Sequence, residues 1–120
     1  MRQPKTKKQW EARKRIQSMI KLSSHWNEIK LHKSTSTVHR TRIFEICNYL
    51  IDHDIDFLTE VTGKDGTWRA DILAMTFPEG RCYEVYFSEE KESLEKKKKK
   101  YPIEVSFINA NKLFDEKELY

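Results

Sequence analysis

Two segments in which apolar and polar side chains alternate constrain the fold of this chain most. They cover residues 67–75 and 82–87, and the alternation is that of β-strands with one set of side chains on each face. The segment between them, residues 76–80, includes a proline and a glycine, which favour a tight reversal of the chain. The pattern therefore predicts an antiparallel hairpin from which two acidic side chains, Asp71 and Glu84, project.

Asp71 and Glu84 are predicted to lie close together across this hairpin. If Met75 lies opposite Arg81, the cross-strand partner of Asp71 is Val85, or Glu84 in the neighbouring register. Two carboxylates about 5 Å apart repel each other by about 3 kcal/mol at an effective dielectric constant near 20. Such a pair is tolerated if the side chains splay into water, if one carboxylate holds a proton, or if a divalent cation lies between them. The last two arrangements make a functional site.

The remaining segments complete a small sheet with helices before and after it. Gly63 and Gly66 mark a tight turn, and Pro102 ends the last long helix. Residues 23–37 have mixed character and contain a linker near residues 31–37. The predicted elements are helices over residues 4–22 and 37–53, strands over 57–62, 67–75 and 82–87, a helix from Ser88 to residue 100, a strand over 103–108, and a tail over 112–120 with helical character.

This order of elements predicts an α/β protein of the α+β type. Its core is helix-β-β-β-helix-β, a mixed sheet flanked by helices, preceded by a basic N-terminal helical arm. The 120 residues, with a mass of 14.5 kDa, suffice for one such core and not for two. We place the arm and its linker in residues 1–36 and the core domain in residues 37–120.

The charge distribution points to a polyanionic partner. Residues 1–42 hold 12 Lys and Arg against 2 acidic residues, a net charge of +10, whereas residues 43–120 hold 11 against 17. A basic arm of this kind is an electrostatic footprint for a polyanion. A solvated docking helix, a dimer element and an amphipathic membrane helix are the alternatives. The candidate phosphate-contacting residues of the arm are Lys7, Lys8, Arg13, Lys14 and Arg15.

The apolar pattern argues against a membrane-spanning or secreted protein. No run of about 18 apolar residues is present, and the basic N-terminus lacks the apolar segment of a signal peptide. Cys47 and Cys82 have no second Cys or His at metal-ligand spacing, so both are expected to be buried thiols. We therefore expect a soluble cytoplasmic protein whose partners include neither a membrane nor a small-molecule substrate.

The two acidic residues lie in short motifs that resemble those of a nuclease superfamily. The segments Arg69-Ala70-Asp71-Ile72-Leu73 and Glu84-Val85-Tyr86, in this order of elements, resemble the PD-(D/E)xK or restriction-endonuclease-like superfamily over about residues 37–110. In that family a strand-borne Asp follows the hairpin turn, and the next strand carries an acidic residue, one further residue and then Lys. The superfamily includes archaeal Holliday-junction resolvases and many phage and plasmid nucleases.

The resemblance implies a DNA endonuclease or a structure-specific nuclease such as a resolvase, dependent on Mg²⁺ or Mn²⁺ and acting as a homodimer. A carboxylate-bound Mg²⁺ supplies the activated water and the charge stabilisation that phosphodiester hydrolysis needs. Asp71 and Glu84 are then metal ligands. The backbone carbonyl of Val85 and the helix residue Glu45 join them. Periodicity alone makes Glu45 an exposed residue about 150° from the apolar stripe of its helix, and Glu60 is a weaker candidate.

Tyr86 stands where the family pattern has its lysine. On the following helix Lys91 and Lys98 share a face with Leu94 and Tyr101, and the superfamily is known to relocate this lysine. Lys91 or Lys98 is therefore the candidate cation of the site. A non-catalytic DNA-binding protein with the same fold is the alternative, and an RNA-binding or protein-interaction adaptor is a third reading.

Further candidates for DNA contact lie near the hairpin and on the last long helix. Lys64 and Arg69 flank the turn beside Asp71, and Lys97 belongs to the lysine run 96–100. Ordinary surface charge and a solubilising helix end are the alternatives for these residues. None of the four histidines receives a catalytic role, and His39 is the one near the predicted cleft.

Overall fold

The computed structural model of the chain describes residues 6–21, 25–76 and 79–119. Within these ranges it is a mixed α+β protein with three α-helices and one four-stranded mixed sheet. The order of elements is the predicted one, and each strand begins and ends within two residues of its predicted bounds. The elements are α1 (Lys7–Gln17), α2 (Thr37–Asp52), β1 (Phe57–Thr62), β2 (Arg69–Ala74), β3 (Arg81–Tyr86), α3 (Lys91–Lys98), β4 (Glu104–Asn109) and a short 3₁₀ helix (Glu116–Leu119).

The helix starts differ in how they are capped. Ser36 caps α2, because its hydroxyl accepts a hydrogen bond from the backbone amide of His39 at 3.1 Å. The helix predicted from Ser88 begins instead at Lys91, after Glu90, without a side-chain cap. The chain takes residues 87–90 to leave β3 before the helix can start. No helix in the described part of the chain combines the length and the apolar character needed to cross a membrane.

The sheet has the strand order β1-β2-β3-β4. The first three strands are antiparallel neighbours, and β4 runs parallel to β3. Parallel neighbours need a crossover connection, which α3 provides. Ile72 lies opposite Tyr83 in the β2–β3 register, so Asp71 faces Glu84 one residue further on. This is the neighbouring register that the sequence left open, rather than the one that pairs Asp71 with Val85.

Helices cover both faces of the sheet, so the molecule has three layers. Side chains that alternate along the strands fall into two apolar clusters, with α2 on one face and the α1 segment on the other. Both cysteines are buried free thiols, as predicted. The first cluster includes Ile43, Ile46, Cys47 and Leu50 with Phe57, Ile72, Tyr83, Val85 and Ile108, and the second includes Ile16 and Ile20 with Leu58, Leu73, Cys82 and Val105.

The predicted basic arm packs on the sheet through α1. Arg13 is only 8% exposed, its Nη2 atom lies 2.6 Å from Oδ2 of Asp56, and its guanidinium lies 4.6 Å from the ring centroid of Trp26. The prediction that Arg13 contacts phosphate is therefore wrong, because its charge is neutralised and covered. Residues 4, 5 and 22, which the prediction included in this helix, lie outside the described residues.

Residues 25–31 run along the outer edge of β1. The Asn27 amide donates to the Phe57 carbonyl at 2.8 Å, and the Phe57 amide donates to Oδ1 of Asn27 at 3.0 Å. The Thr59 hydroxyl donates to the carbonyl of Glu28 at 2.8 Å. An open strand edge is a template for pairing with other chains. The segment therefore covers one edge of the sheet, although its sequence has no clear period.

Candidate functional site

Asp71 and Glu84 lie where β2 and β3 separate. The register between the two strands runs as far as Ile72 and Tyr83. Beyond that pair, Oδ2 of Asp71 accepts a hydrogen bond from the Val85 amide at 2.8 Å, where a longer ladder would place a backbone carbonyl. The Asp71 side chain therefore occupies the opening between the strands, beside the carboxylate of Glu84.

Glu84 is held in place by Tyr101, which follows α3. The Tyr101 hydroxyl lies 3.0 Å from Oε2 of Glu84 and 2.5 Å from the carbonyl oxygen of Arg69, and its ring packs 5.5 Å from that of Trp68. Burial, followed by the negative charge of Asp71, raises the pKa of Glu84 from 4.5 to about 7. The pair of acids therefore favours either a proton or a bound cation.

His39, in the first turn of α2, contacts the acid pair from another element. Its Nε2 atom lies 3.6 Å from Oδ2 of Asp71, and its ring stacks on Phe87 with centroids 6.0 Å apart. The adjacent Asp71 side chain raises the pKa of His39 above its ordinary value although burial opposes this, and the charge of Glu84 adds to the rise. His39 is thus a basic neighbour of Asp71 to which its sequence position assigned no role.

A cleft of about 490 Å³ opens over the two acids. One of its walls is cationic, and much of that wall comes from the segment before α2. No sequence pattern singled out Lys30 and His32, the charged lining residues of this segment, because the segment lacks periodicity and contains no recognised motif. Besides Asp71, Glu84 and His39, the charged lining residues are Lys30, His32, Arg40, Glu60 and Arg69.

Glu60 brings a third carboxylate to the cleft from β1. Its φ of 54° is left-handed, which costs on the order of 1–3 kcal/mol for a residue other than glycine. Its Oε1 atom contacts Nε2 of His32 and lies 3.8 Å from Nη2 of Arg69. The side chain, whose face the sequence left uncertain, therefore lies in ion pairs within the cleft lining.

The structure places Glu45 outside the cleft lining, contrary to the role that the resemblance implied. Its Oε1 atom lies 3.2 Å from Nε of Arg42, which also donates to the backbone carbonyls of Asn109 and Lys112. Glu45 is six residues beyond His39, about 240° around the helix. Because α2 turns His39 toward the acids, it turns Glu45 toward the C-terminal segment instead.

The lysines of α3 do not line the cleft either. Nζ of Lys98 lies 3.6 Å from Oε1 of Glu104, and Lys91 is exposed at the start of the helix. Of the α3 lysines, Lys97 has an electrostatic effect on the acids. Burial raises the pKa of Glu84, and against this larger effect the positive charge of Lys97 lowers that pKa. The proposed replacement of the family lysine by Lys91 or Lys98 therefore has no supporting contact with the acids.

The residues predicted to contact DNA are spread over several surfaces. Arg69 lines the cleft, whereas Lys64 is exposed in the turn between β1 and β2. The exposed basic residues of α1 lie in the layer opposite α2, away from the cleft lining, and their contact with DNA stays a prediction. They are Lys7, Lys8, Lys14 and Arg15.

Asp71, Glu84 and the Val85 carbonyl make up an oxygen donor set. The N–H and C=O groups of one strand residue point in the same direction, so the Val85 carbonyl faces the opening into which its amide donates. Within the described residues, no group of three or more His, Cys, Asp and Glu is arranged to hold a metal ion. Mg²⁺ is usually held by one or two carboxylates, with water and substrate phosphate oxygens as further ligands. Two carboxylates and one carbonyl are therefore too few for a closed structural site and leave an open one as the arrangement to be tested.

Comparison of the chain with models of protein families, with curated proteins and with solved structures finds no match in any of the three. What the protein does must therefore be inferred from the acid pair and the cleft.

Proposed function

We propose that this protein is a nuclease with a restriction-endonuclease-like core that hydrolyses DNA phosphodiester bonds with Mg²⁺ or Mn²⁺. The observation that carries the proposal is the pair of carboxylates, Asp71 and Glu84, at the opening between β2 and β3. The resemblance of their motifs to the PD-(D/E)xK pattern supports it. A cleft with a cationic wall beside the two acids suits a phosphate-bearing substrate.

Each residue of the pair has its own support. Asp71 is oriented by the Val85 amide, and Glu84 is oriented by the Tyr101 hydroxyl. The two carboxylates and the Val85 carbonyl would hold the divalent cation. When bound, that cation supplies a water activated near neutral pH and stabilises charge on the phosphate. Because binding neutralises the repulsion between the acids, it removes the electrostatic cost of placing them together.

His39 takes the part of the absent motif lysine. It is the basic side chain next to Asp71, with its Nε2 atom 3.6 Å from the carboxylate. The nearby Asp71 carboxylate favours the protonated form of the ring. A protonated His39 contacts the scissile phosphate. Arg69, on the other side of Asp71, binds the DNA backbone and fixes the position of the DNA strand in the cleft.

A non-catalytic DNA-binding protein is the second candidate. Tyr86 in the motif and the absence of Lys91 and Lys98 from the cleft lining favour it. In that case a proton on Glu84, and no cation, relieves the repulsion between the acids. The homodimer implied by the resemblance stays a prediction for either candidate, and sedimentation analysis of the purified protein measures it.

Cleavage and binding of the same DNA separate the two candidates. Purified protein is incubated with plasmid, flap and four-way-junction DNA in Mg²⁺ or Mn²⁺, and binding is measured in EDTA. We expect wild type to cut at least one substrate. Asp71→Asn and Glu84→Gln should abolish cutting while leaving binding in EDTA within about threefold, because neither change removes a phosphate-contacting cation.

Two further variants serve as controls. Glu116→Gln removes an acidic charge from the exposed 3₁₀ helix, outside the cleft lining, and should cut like wild type. Glu45→Gln should also keep its activity, since Glu45 pairs with Arg42 outside the cleft lining. Wild-type protein that binds DNA but cuts none of these substrates in either metal would establish the non-catalytic candidate.

A further inference from the structure

Glu60 forms two ion pairs in the lining of the cleft. Its Oε1 atom contacts Nε2 of His32 and lies 3.8 Å from Nη2 of Arg69. Both partners are largely exposed, with 52% and 68% of their side chains accessible, whereas the Glu60 side chain is 21% exposed. One carboxylate is therefore set between an imidazole and a guanidinium that face solvent.

The His32 side of this cluster is held in shape by Arg40. The Arg40 guanidinium donates to the backbone carbonyls of His32 and Thr35, and it also donates to the hydroxyl of Thr37 at 3.3 Å. These bonds tie residues 32–35 to the first turn of α2. His32 thus lies on a loop that Arg40 holds in place, and Arg69 is the first residue of β2, so the spacing of these two side chains does not depend on Glu60 alone.

The position of Glu60 is unusual for a strand residue. Its left-handed backbone interrupts the regular pairing of β1 with β2, in which Thr59 pairs with Ile72 and Val61 with Ala70. The carboxylate of Glu60 lies where an anionic group of a substrate would meet the same imidazole and guanidinium. The oxygens of a carboxylate and of a phosphate both accept hydrogen bonds from such N–H groups.

We propose that His32 and Arg69 form a binding site for a DNA backbone phosphate, and that Glu60 occupies this site in the free protein until a phosphate displaces it. The identity of the anion as DNA rests on the proposed function. The site itself rests on the contacts of Glu60, His32 and Arg69. Glu60 then competes with the phosphate for His32 and Arg69, and it is not a metal ligand.

Binding of a fluorescein-labelled DNA duplex, measured by anisotropy in EDTA, tests this without metal or cleavage. Glu60→Gln removes the competing charge and should tighten binding about fivefold, the equivalent of about 1 kcal/mol. Arg69→Ala should weaken binding and reduce the slope of log K against log salt by about 1. In the His32→Ala/Arg69→Ala background, Glu60→Gln should give no further gain, because the site for which it competes is gone.

Glu116→Gln is the matched control, since it removes an equal charge outside the cleft lining. Glu60→Asn is a second variant that tolerates the left-handed backbone and should also bind more tightly than wild type. An equal gain in DNA affinity in Glu116→Gln, or a gain that persists in the His32→Ala/Arg69→Ala background, would overturn the proposal. Either result would show that the gain comes from the more positive net charge of the protein and not from the vacated site. Lost cleavage in Glu60→Gln without tighter binding would make Glu60 part of the metal site, which sinks this inference while the nuclease proposal stands.

Discussion

The side chain of Asp71 takes the place of a backbone carbonyl in the sheet, with its Oδ2 atom 2.8 Å from the amide nitrogen of Val85. The hydrogen bond satisfies a donor that the separation of β2 and β3 would otherwise leave without a ladder partner. It also holds one carboxylate at the opening, next to the other. Fold and candidate chemistry therefore share this one contact, and the variant Asp71→Asn retains an oxygen that can accept the bond.

Glu84 should make the protein less stable as the pH rises from about 4.5 to about 7. An unfolded chain loses this proton near 4.5, whereas the folded protein keeps it up to about 7 because burial and Asp71 raise the pKa of Glu84. The native state therefore binds more protons in this window, and the free energy of unfolding falls with pH. Urea denaturation at a series of pH values measures it, and Glu84→Gln should flatten the slope.

His39 also contributes to the dependence of the free energy of unfolding on pH, and its contribution must be separated from that of Glu84. Its raised pKa, caused first by the contact with Asp71, gives stability that is present below 6.5 and is lost as the pH rises through the folded-state pKa. The variant His39→Gln should remove the fall in the free energy of unfolding at the upper end of the pH range. It should keep the fall between pH 4.5 and about 6, which comes from Glu84. A wild-type stability curve that is flat from 4.5 to 7 would show that Glu84 does not hold its proton.

Mg²⁺ should stabilise the folded protein, and more so at about pH 8 than at about pH 5. A ligand at 100 times its Kd stabilises the native state by about 2.7 kcal/mol. At the lower pH, Glu84 must first release a proton, which weakens binding. Thermal unfolding with and without the cation measures the shift. Asp71→Asn should lose it, Glu116→Gln should keep it, and an equal shift in all three proteins would indicate nonspecific binding.

Breaking the buried ion pair of Arg13 and Asp56 should cost about 3–5 kcal/mol of unfolding free energy. Arg13→Met leaves the Asp56 charge buried without its cation, and chemical denaturation should show the loss. Lys14→Ala, at an exposed neighbouring position, should stay within about 0.5 kcal/mol of wild type. The double variant Arg13→Met/Asp56→Asn should recover part of the loss. A cost below about 1 kcal/mol for Arg13→Met would contradict the buried pair.

Glycine should be tolerated at position 60 and not at position 62. Glu60 has a left-handed φ of 54°, which costs an L-residue about 1–2 kcal/mol and glycine nothing. Glu60→Gly should therefore unfold with a free energy equal to or above that of wild type, although it loses two ion pairs. Thr62→Gly, in the same strand, should lose about 0.5–1 kcal/mol. A greater loss in Glu60→Gly than in Thr62→Gly would argue against the left-handed backbone.

The sheet and its helices could be predicted because the pattern that specifies them is local. Alternation in β2 and β3 and the turn at Gly63 and Gly66 located the strands to within two residues, and the side-chain period set Asp71 and Glu84 on one face. The register differs by one residue from the one that pairs Met75 with Arg81. A one-residue slip would place the two acids on opposite faces, so only the observed register agrees with their shared face.

The rest of the cleft depends on contacts between distant parts of the chain. Arg13 has the same local signal as its exposed neighbours, and only its docking against Asp56 shows that it is buried. The resemblance ranked Glu45 above His39, whereas His39 and not Glu45 lines the cleft, because the rotation of α2 about its axis is set by packing. Residues 25–36 lack a period, so nothing in the sequence placed Lys30 or His32 in the cleft that Asp71 lines.

The register of β2 and β3 makes the length of the connecting segment, residues 75–80, a determinant of chemistry. Deleting one residue there would shift the pairing by one position, and neighbouring side chains of a strand point to opposite faces. Tyr83, whose hydroxyl donates to the Leu119 carbonyl at 2.6 Å in the core, would exchange faces with Glu84. Such a deletion would place the two carboxylates on opposite faces of the sheet without changing either one, so a single missing codon between them would dismantle the acid pair.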